Sequence, residues 1–163
     1  MLGGGYPELW AGELAENASM REQIREKLVA GMPSLAECGG FLYLHEKMRL
    51  EDGKEYPMAG VIPGACYYTG RSVRFGYVRF SCADGKSDGI NALCGHEFHY
   101  FDSENCGEDW IAEKPVTGRT WRCMHQGEEH LWGFAHLYYP SSPEFAKWFV
   151  ECCVRYGRKK EER

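Results

Sequence analysis

A chain of 163 residues with 44% hydrophobic and 26% charged side chains has the size and make-up of one globular domain around one core, which excludes a disordered or collagen-like chain. A formal net charge of -5 argues against nucleic acid as a partner, since phosphate binding needs clustered cations. No apolar run approaches the ~20 residues that a membrane helix requires, and eight cysteines without a signal peptide fit reduced thiols in a cytoplasm better than a disulfide scaffold.

Met1 and Leu2 run into Gly3-Gly4-Gly5 as if leaving a core strand whose earlier partners are absent, and Pro7 then fits the first turn of a helix reaching about Glu16. A second helix is expected from Ser19, capped by its own hydroxyl with Glu22 closing a capping box, Ile24 and Leu28 on the buried stripe, and Gly31 as the stop. The uncharged run 32–36 leads into Glu37-Cys38-Gly39-Gly40, after which Phe41, Leu42 and Leu44 resume on a helix, giving the order strand, sharp turn, helix. Residues 58–62, 75–80 and 96–101 are short, aromatic or β-branched segments between glycine-rich turns and read as strands, as does 131–137. Ser142-Pro143-Glu144 starts a last helix with Phe145, Phe149, Cys152 and Tyr156 on one face. Its basic cluster, Arg158 to Lys160, is followed by Glu161, Glu162 and Arg163 and reads as a solvated, frayed terminus. With no internal repeat, the expected class is a layered α/β domain.

The chemistry concentrates on Cys38. A nucleophile must be exposed yet oriented, and a strand–turn–helix elbow with small neighbours achieves this. Glycines after the cysteine allow a strained turn and close approach of substrate, while the following helix aims its N–H groups and positive end at the sulfur, both favouring thiolate. The elbow alone leaves Cys38 open between this role and that of an ordinary buried thiol. His136 ends the predicted strand after Gly133-Phe134-Ala135, on the sheet edge where reactive groups gather, and is the best placed of six histidines to exchange a proton with the thiol; otherwise it is a satisfied surface histidine. Backbone N–H groups of Gly4, Gly5 and Gly39 can form a hole for the developing oxyanion, although a run of three glycines is also an ordinary loop.

Taken in order, Gly3-Gly4-Gly5-Tyr6-Pro7-Glu8, Ala36-Glu37-Cys38-Gly39-Gly40-Phe41-Leu42-Tyr43-Leu44, Gly95-His96-Glu97-Phe98-His99-Tyr100 and His136-Leu137-Tyr138-Tyr139 resemble the cobyrinate a,c-diamide synthase family, over nearly the whole chain. The match is to its C-terminal glutaminase domain. The resemblance implies a three-layer α/β fold of the class I, or triad, glutamine amidotransferase type, with the nucleophile on Cys38, the histidine on His136 and the oxyanion loop on the opening glycines. It also implies a full enzyme that amidates the a and c acetate side chains of cobyrinate or hydrogenobyrinate in cobalamin biosynthesis, with glutamine as nitrogen donor. ATP and magnesium belong to a synthetase domain that this sequence does not contain, and no cofactor is expected in the chain itself. The expected organisation is therefore one glutaminase domain over 1–163, lacking its first strands.

Many class I amidotransferases carry an acid two residues after the catalytic histidine; here Tyr138 stands there, which implies a Cys–His dyad. Glu97 and His99 are candidates for supporting the substrate site, Glu97 with an equal claim to serving the fold. Two rival readings remain. Cys94, His96 and His99, with Cys82 or Cys106 as a fourth ligand, are spaced like zinc ligands but lack a paired Cys-x-x-Cys. Alternatively, the chain is an inactive amidotransferase remnant.

Overall fold

The computed structural model describes residues 1–85, 90 and 92–161; Glu162 and Arg163 of the expected frayed terminus lie outside the described residues. A 3-10 turn, Pro7–Trp10, precedes α1 (Ala11–Glu16) and α2 (Ala18–Val29). Then follow β1 (Ser34–Glu37), α3 (Gly39–Tyr43), β2 (His45–Arg49), β3 (Glu55–Pro57), β4 (Ile62–Tyr68) and β5 (Arg74–Cys82). The remainder is β6 (Leu93–His99), β7 (Phe101–Ser103), β8 (Trp110–Glu113), β9 (Thr120–Cys123), β10 (His125–Gln126), β11 (His130–Gly133), β12 (His136–Leu137) and α4 (Pro143–Glu161).

Among the described residues the strands form three sheets. In the first, β1 runs parallel to β11, with Glu37 opposite Gly133, and β10 runs antiparallel beside β11. Leu2 adds a parallel bridge to Ala36, its N–H bonded to Leu35 O and its carbonyl to Glu37 N. The second sheet is antiparallel, in the order β12-β6-β5-β8-β9; the third is mixed, in the order β3-β2-β4-β7, with β2 and β4 parallel. The architecture is the expected mixed α/β.

Alternation decides which side of the second sheet is covered. Val78 and Phe80 of β5 and Leu93 of β6 point inward onto Trp110, Phe145 and Trp148, whereas Phe75 and Tyr77 point out to solvent. A second core gathers Phe41, Leu44, Met48, Ile62 and Phe134 between β1, α3 and the third sheet.

Several elements depart from the sequence reading. The first helix is broken at Trp10 into a 3-10 turn and α1. Helix α2 is capped by Asn17, whose Oδ1 accepts from Met20 N at 3.2 Å, while the Ser19 hydroxyl accepts from Gln23. There is no capping box at Ser19, because Asn is as good a cap and lies at the turn out of α1. Gly31 does end the helix, at φ +82. Residues 58–61 are a connection rather than a strand: Met58, Ala59 and Gly60 donate to Glu46, Tyr43 and His45 carbonyls, and the strand begins only at Ile62. The segment 131–137 splits at Phe134-Ala135 between two sheets, and 96–101 likewise divides between β6 and β7. Helix α4 continues through Glu161, so Arg158 to Lys160 occupy its last turn, where cations suit the negative helix end. No described helix is long and apolar enough to cross a membrane.

Candidate active site

The first sheet ends in the expected elbow. Between β1 and α3, Cys38 adopts φ 47, ψ -106, a left-handed conformation that side-chain-bearing residues rarely hold and that costs on the order of 1–3 kcal/mol. Three hydrogen bonds pin it: Cys38 N donates to Gly133 O, Leu42 N to Cys38 O, and Gly40 N to Gly3 O. The two glycines that follow are needed for close approach rather than for turning. A Cβ on Gly39 would lie 2.9 Å from Gly5 N, and one on Gly40 would lie 2.6 Å from Leu2 C, so any side chain there would expel the opening loop.

That loop reaches His136. The imidazole lies between Gly4, where a Cβ would overlap the ring, and His96, whose ring stacks on it at 5.0 Å between centroids and 16° between planes. β12 places His136 opposite His96 of β6, and Gly95 allows the two strands to meet, since a Cβ there would stand 2.5 Å from His136 O. Cys38, His136, Gly4 and Gly5 line one pocket of about 450 Å³, a size suited to a small metabolite. The elbow, the histidine and the glycine loop are therefore gathered in one place.

The electrostatics correct one expectation. Burial pushes the Cys38 thiol up to about 11, the Gly39 N–H opposes this, and the carboxylates of Glu8, Glu97 and Glu37 raise it further. With five residues, α3 is too short for its dipole to outweigh these effects, so the resting sulfur is a thiol and not the thiolate that the elbow suggested. His136 is held below its usual range by burial and by neighbouring His96, against the opposing pull of Glu37. Both partners are thus neutral at neutral pH.

His99 reaches the same pocket, stacking on Phe134 at 4.0 Å and bonding Phe101 O through Nδ1. Glu97 does not line it. Only 1% exposed, Glu97 lies 3.6 Å from His99 Nε2 and 4.0 Å from Arg74 Nε, and neither its Oε2 nor His99 Nε2 makes a hydrogen bond. The zinc reading loses its geometry, because alternation along β6 sends Cys94 and His96 to one face and His99 to the other. Among the described residues, no cluster of three or more His, Cys, Asp or Glu side chains can hold a metal ion.

Glu8, Glu37 and Tyr139 stand within the motifs but carry no role in the sequence reading. Glu8, which ends the opening motif, lines the pocket with its carboxyl pushed up by burial. Glu37 places Oε2 4.0 Å from His136 Nδ1, and its Oε1 accepts the Tyr139 hydroxyl. Tyr138, standing where an acid was looked for, is 62% exposed.

Comparison with known proteins shows the family of the chain. Residues 1–129 match the CobB/CobQ-like glutamine amidotransferase domain. Cobyrinate a,c-diamide synthase of Caldanaerobacter subterraneus subsp. tengcongensis is 35% identical over 165 residues, covering 97% of this chain and 36% of that protein. The enzyme of the same name from Fusobacterium nucleatum is 39% identical over 148 residues, covering 88% and 32%, and that of Methanosarcina barkeri 36% identical over 171, covering 92% and 34%. The chain thus spans about a third of the length of these curated relatives. Among solved structures, a glutamine amidotransferase superposes with a TM-score of 0.62 at 16% identity, over 93% of this chain and 77% of that one, which shows the shared fold.

Proposed function

The chain belongs to the CobB/CobQ-like glutamine amidotransferase domains, and from that premise we propose that it is the glutamine-hydrolysing part of an ATP-dependent amidoligase acting on the a and c acetate side chains of a corrinoid. The observation that carries the reading is the shared pocket of Cys38, His136 and the Gly4-Gly5 loop, with the cysteine on a strained elbow.

In the proposed reaction the Cys38 sulfur attacks the glutamine carboxamide carbon. Because thiol and imidazole both start neutral, the thiol proton passes to His136 as the S–C bond forms, and the developing oxyanion is met by backbone N–H groups of Gly39 and the opening loop. The tetrahedral intermediate collapses, His136 returns the proton to the departing nitrogen, and ammonia leaves a thioester on Cys38. Water, deprotonated by His136, then releases glutamate. Ammonia serves a synthetase portion, the place proposed for ATP and magnesium, which would activate the corrinoid carboxylate. The synthase names of the relatives support the corrinoid substrate; the shared pocket of Cys38, His136, Gly4 and Gly5 supports the glutaminase step.

The test is glutamate release from glutamine, with and without the synthetase portion, in wild type, Cys38→Ala and His136→Ala. Both variants are expected to fall to near background, as when members of a catalytic unit are removed. Turnover that survives in Cys38→Ala overturns the mechanism.

A further inference from the structure

His136 has no orienting acid on its own strand: two residues on stands Tyr138, exposed and bonded through its N–H to Cys94 O. We propose that Glu37, the residue before Cys38, is the positioning residue for His136 and is itself held by the Tyr139 hydroxyl. The inference rests on the Cys38–His136 reading and deepens it.

Glu37 closes β1, its N–H bonded to Leu2 O at 3.0 Å and its backbone paired with Gly133 of β11, so its Cα is fixed by the same sheet that fixes the elbow. The carboxylate is divided between two tasks. Oε1 accepts from Tyr139, and Oε2 stands 4.0 Å from His136 Nδ1, with side chains 16% and 31% exposed. That separation is longer than a hydrogen bond, as contacts of this kind often are before substrate binds. The other groups acting on the imidazole are histidines: His96 stacked on its face and His99 further along β6. Among the described residues, Glu37 is the one carboxylate acting on it.

A base that becomes imidazolium during attack needs an anion on its far side, and a base that must accept through one nitrogen needs the other held as N–H. Glu37 meets both needs. With Nδ1–H facing Oε2, the Nε2 lone pair takes the thiol proton as the S–C bond forms and the carbonyl electron pair moves to oxygen. The proton stays on His136 and then leaves on ammonia. Placing nucleophile and positioning acid at adjacent residues lets one strand end set both.

Glu37→Gln, Glu37→Asp and Tyr139→Phe are compared with wild type and Cys38→Ala in the presence of the synthetase portion. For Glu37→Gln, kcat is expected to fall about 10²-fold with KM little changed, and the acidic limb of kcat/KM to move to lower pH, because the group that holds His136 up is gone. Glu37→Asp restores part of kcat. Tyr139→Phe keeps the ring stacked on Phe145 and shows a smaller loss in the same direction, so a folding failure in the Gln variant does not remove the test. Wild-type kcat with an unmoved limb in both Glu37→Gln and Tyr139→Phe overturns the proposal and leaves the Cys38 mechanism standing. Turnover persisting in Cys38→Ala overturns that mechanism and this inference together.

Discussion

The imidazole of His136 lies almost flat on that of His96, 5.0 Å between centroids and 16° between planes, because the two residues face each other across the β12–β6 pairing. Burial holds the His136 imidazole below its usual range, and the His96 ring stacked on it adds to the effect.

His96→Phe keeps an aromatic ring over His136 and removes the like charge. A general base works only when neutral, so activity is lost as pH falls through its pKa, and the wild-type limb lies below the ordinary 6.5. Without His96 the limb moves up toward that value, so the variant loses turnover at a higher pH than wild type. A pH profile of kcat/KM measures this. A limb that stays in place would remove His96 as a contributor to the lowered pKa of His136.

The opening glycines are unequal. A Cβ on Gly4 would overlap the His136 ring, whereas one on Gly3 or Gly5 meets nothing within 4 Å, and none of the three has positive φ. Gly4→Ala is therefore expected to cost about 1–3 kcal/mol of stability through overpacking, and to lower kcat further by displacing the base. Gly3→Ala should match wild type in thermal midpoint. The comparison is made by thermal unfolding and glutamate release; equal behaviour of the two variants would mean that the loop yields freely.

The elbow was legible in the sequence because an uncharged run leads through Glu37 to a cysteine followed at once by two glycines and an apolar helical segment, and the order of the motifs placed His136 with it. What escaped was set by tertiary contact. Strand β4 begins Ile62-Pro63-Gly64, residues that normally punctuate strands, and is held by its partners β2 and β7. Segment 131–137 carries a continuous apolar pattern, yet Phe134 turns into one core and Ala135 toward the other. Glu37 reads in sequence as part of the elbow's frame, and only the fold brings Tyr139 and His136 to its two oxygens. The thiol's raised pKa follows first from burial and then from carboxylates on three separate elements, neither of which spacing along the chain encodes.

His45 carries the last prediction, which concerns stability rather than chemistry. Fully buried, it bonds Phe41 O through Nδ1 at 2.9 Å and Ser103 Oγ through Nε2 at 2.6 Å, and Ser103 Oγ also accepts from Asn105 N. The carbonyl requires Nδ1–H, so Nε2 accepts from the hydroxyl and the neutral ring is satisfied. A second proton would disrupt that arrangement, and burial brings the pKa down to about 4 from 6.5. The unfolded chain binds this proton at a higher pH than the folded chain, so stability is fully present above pH 6.5 and is lost as pH falls toward 4. The loss amounts to about 2 kcal/mol by pH 5 and about 3 kcal/mol by pH 4. Urea midpoints of wild type and His45→Gln at pH 7 and pH 5 test this. The variant starts lower but falls less between the two, since it has no imidazole to titrate, and parallel falls would remove His45 as the source.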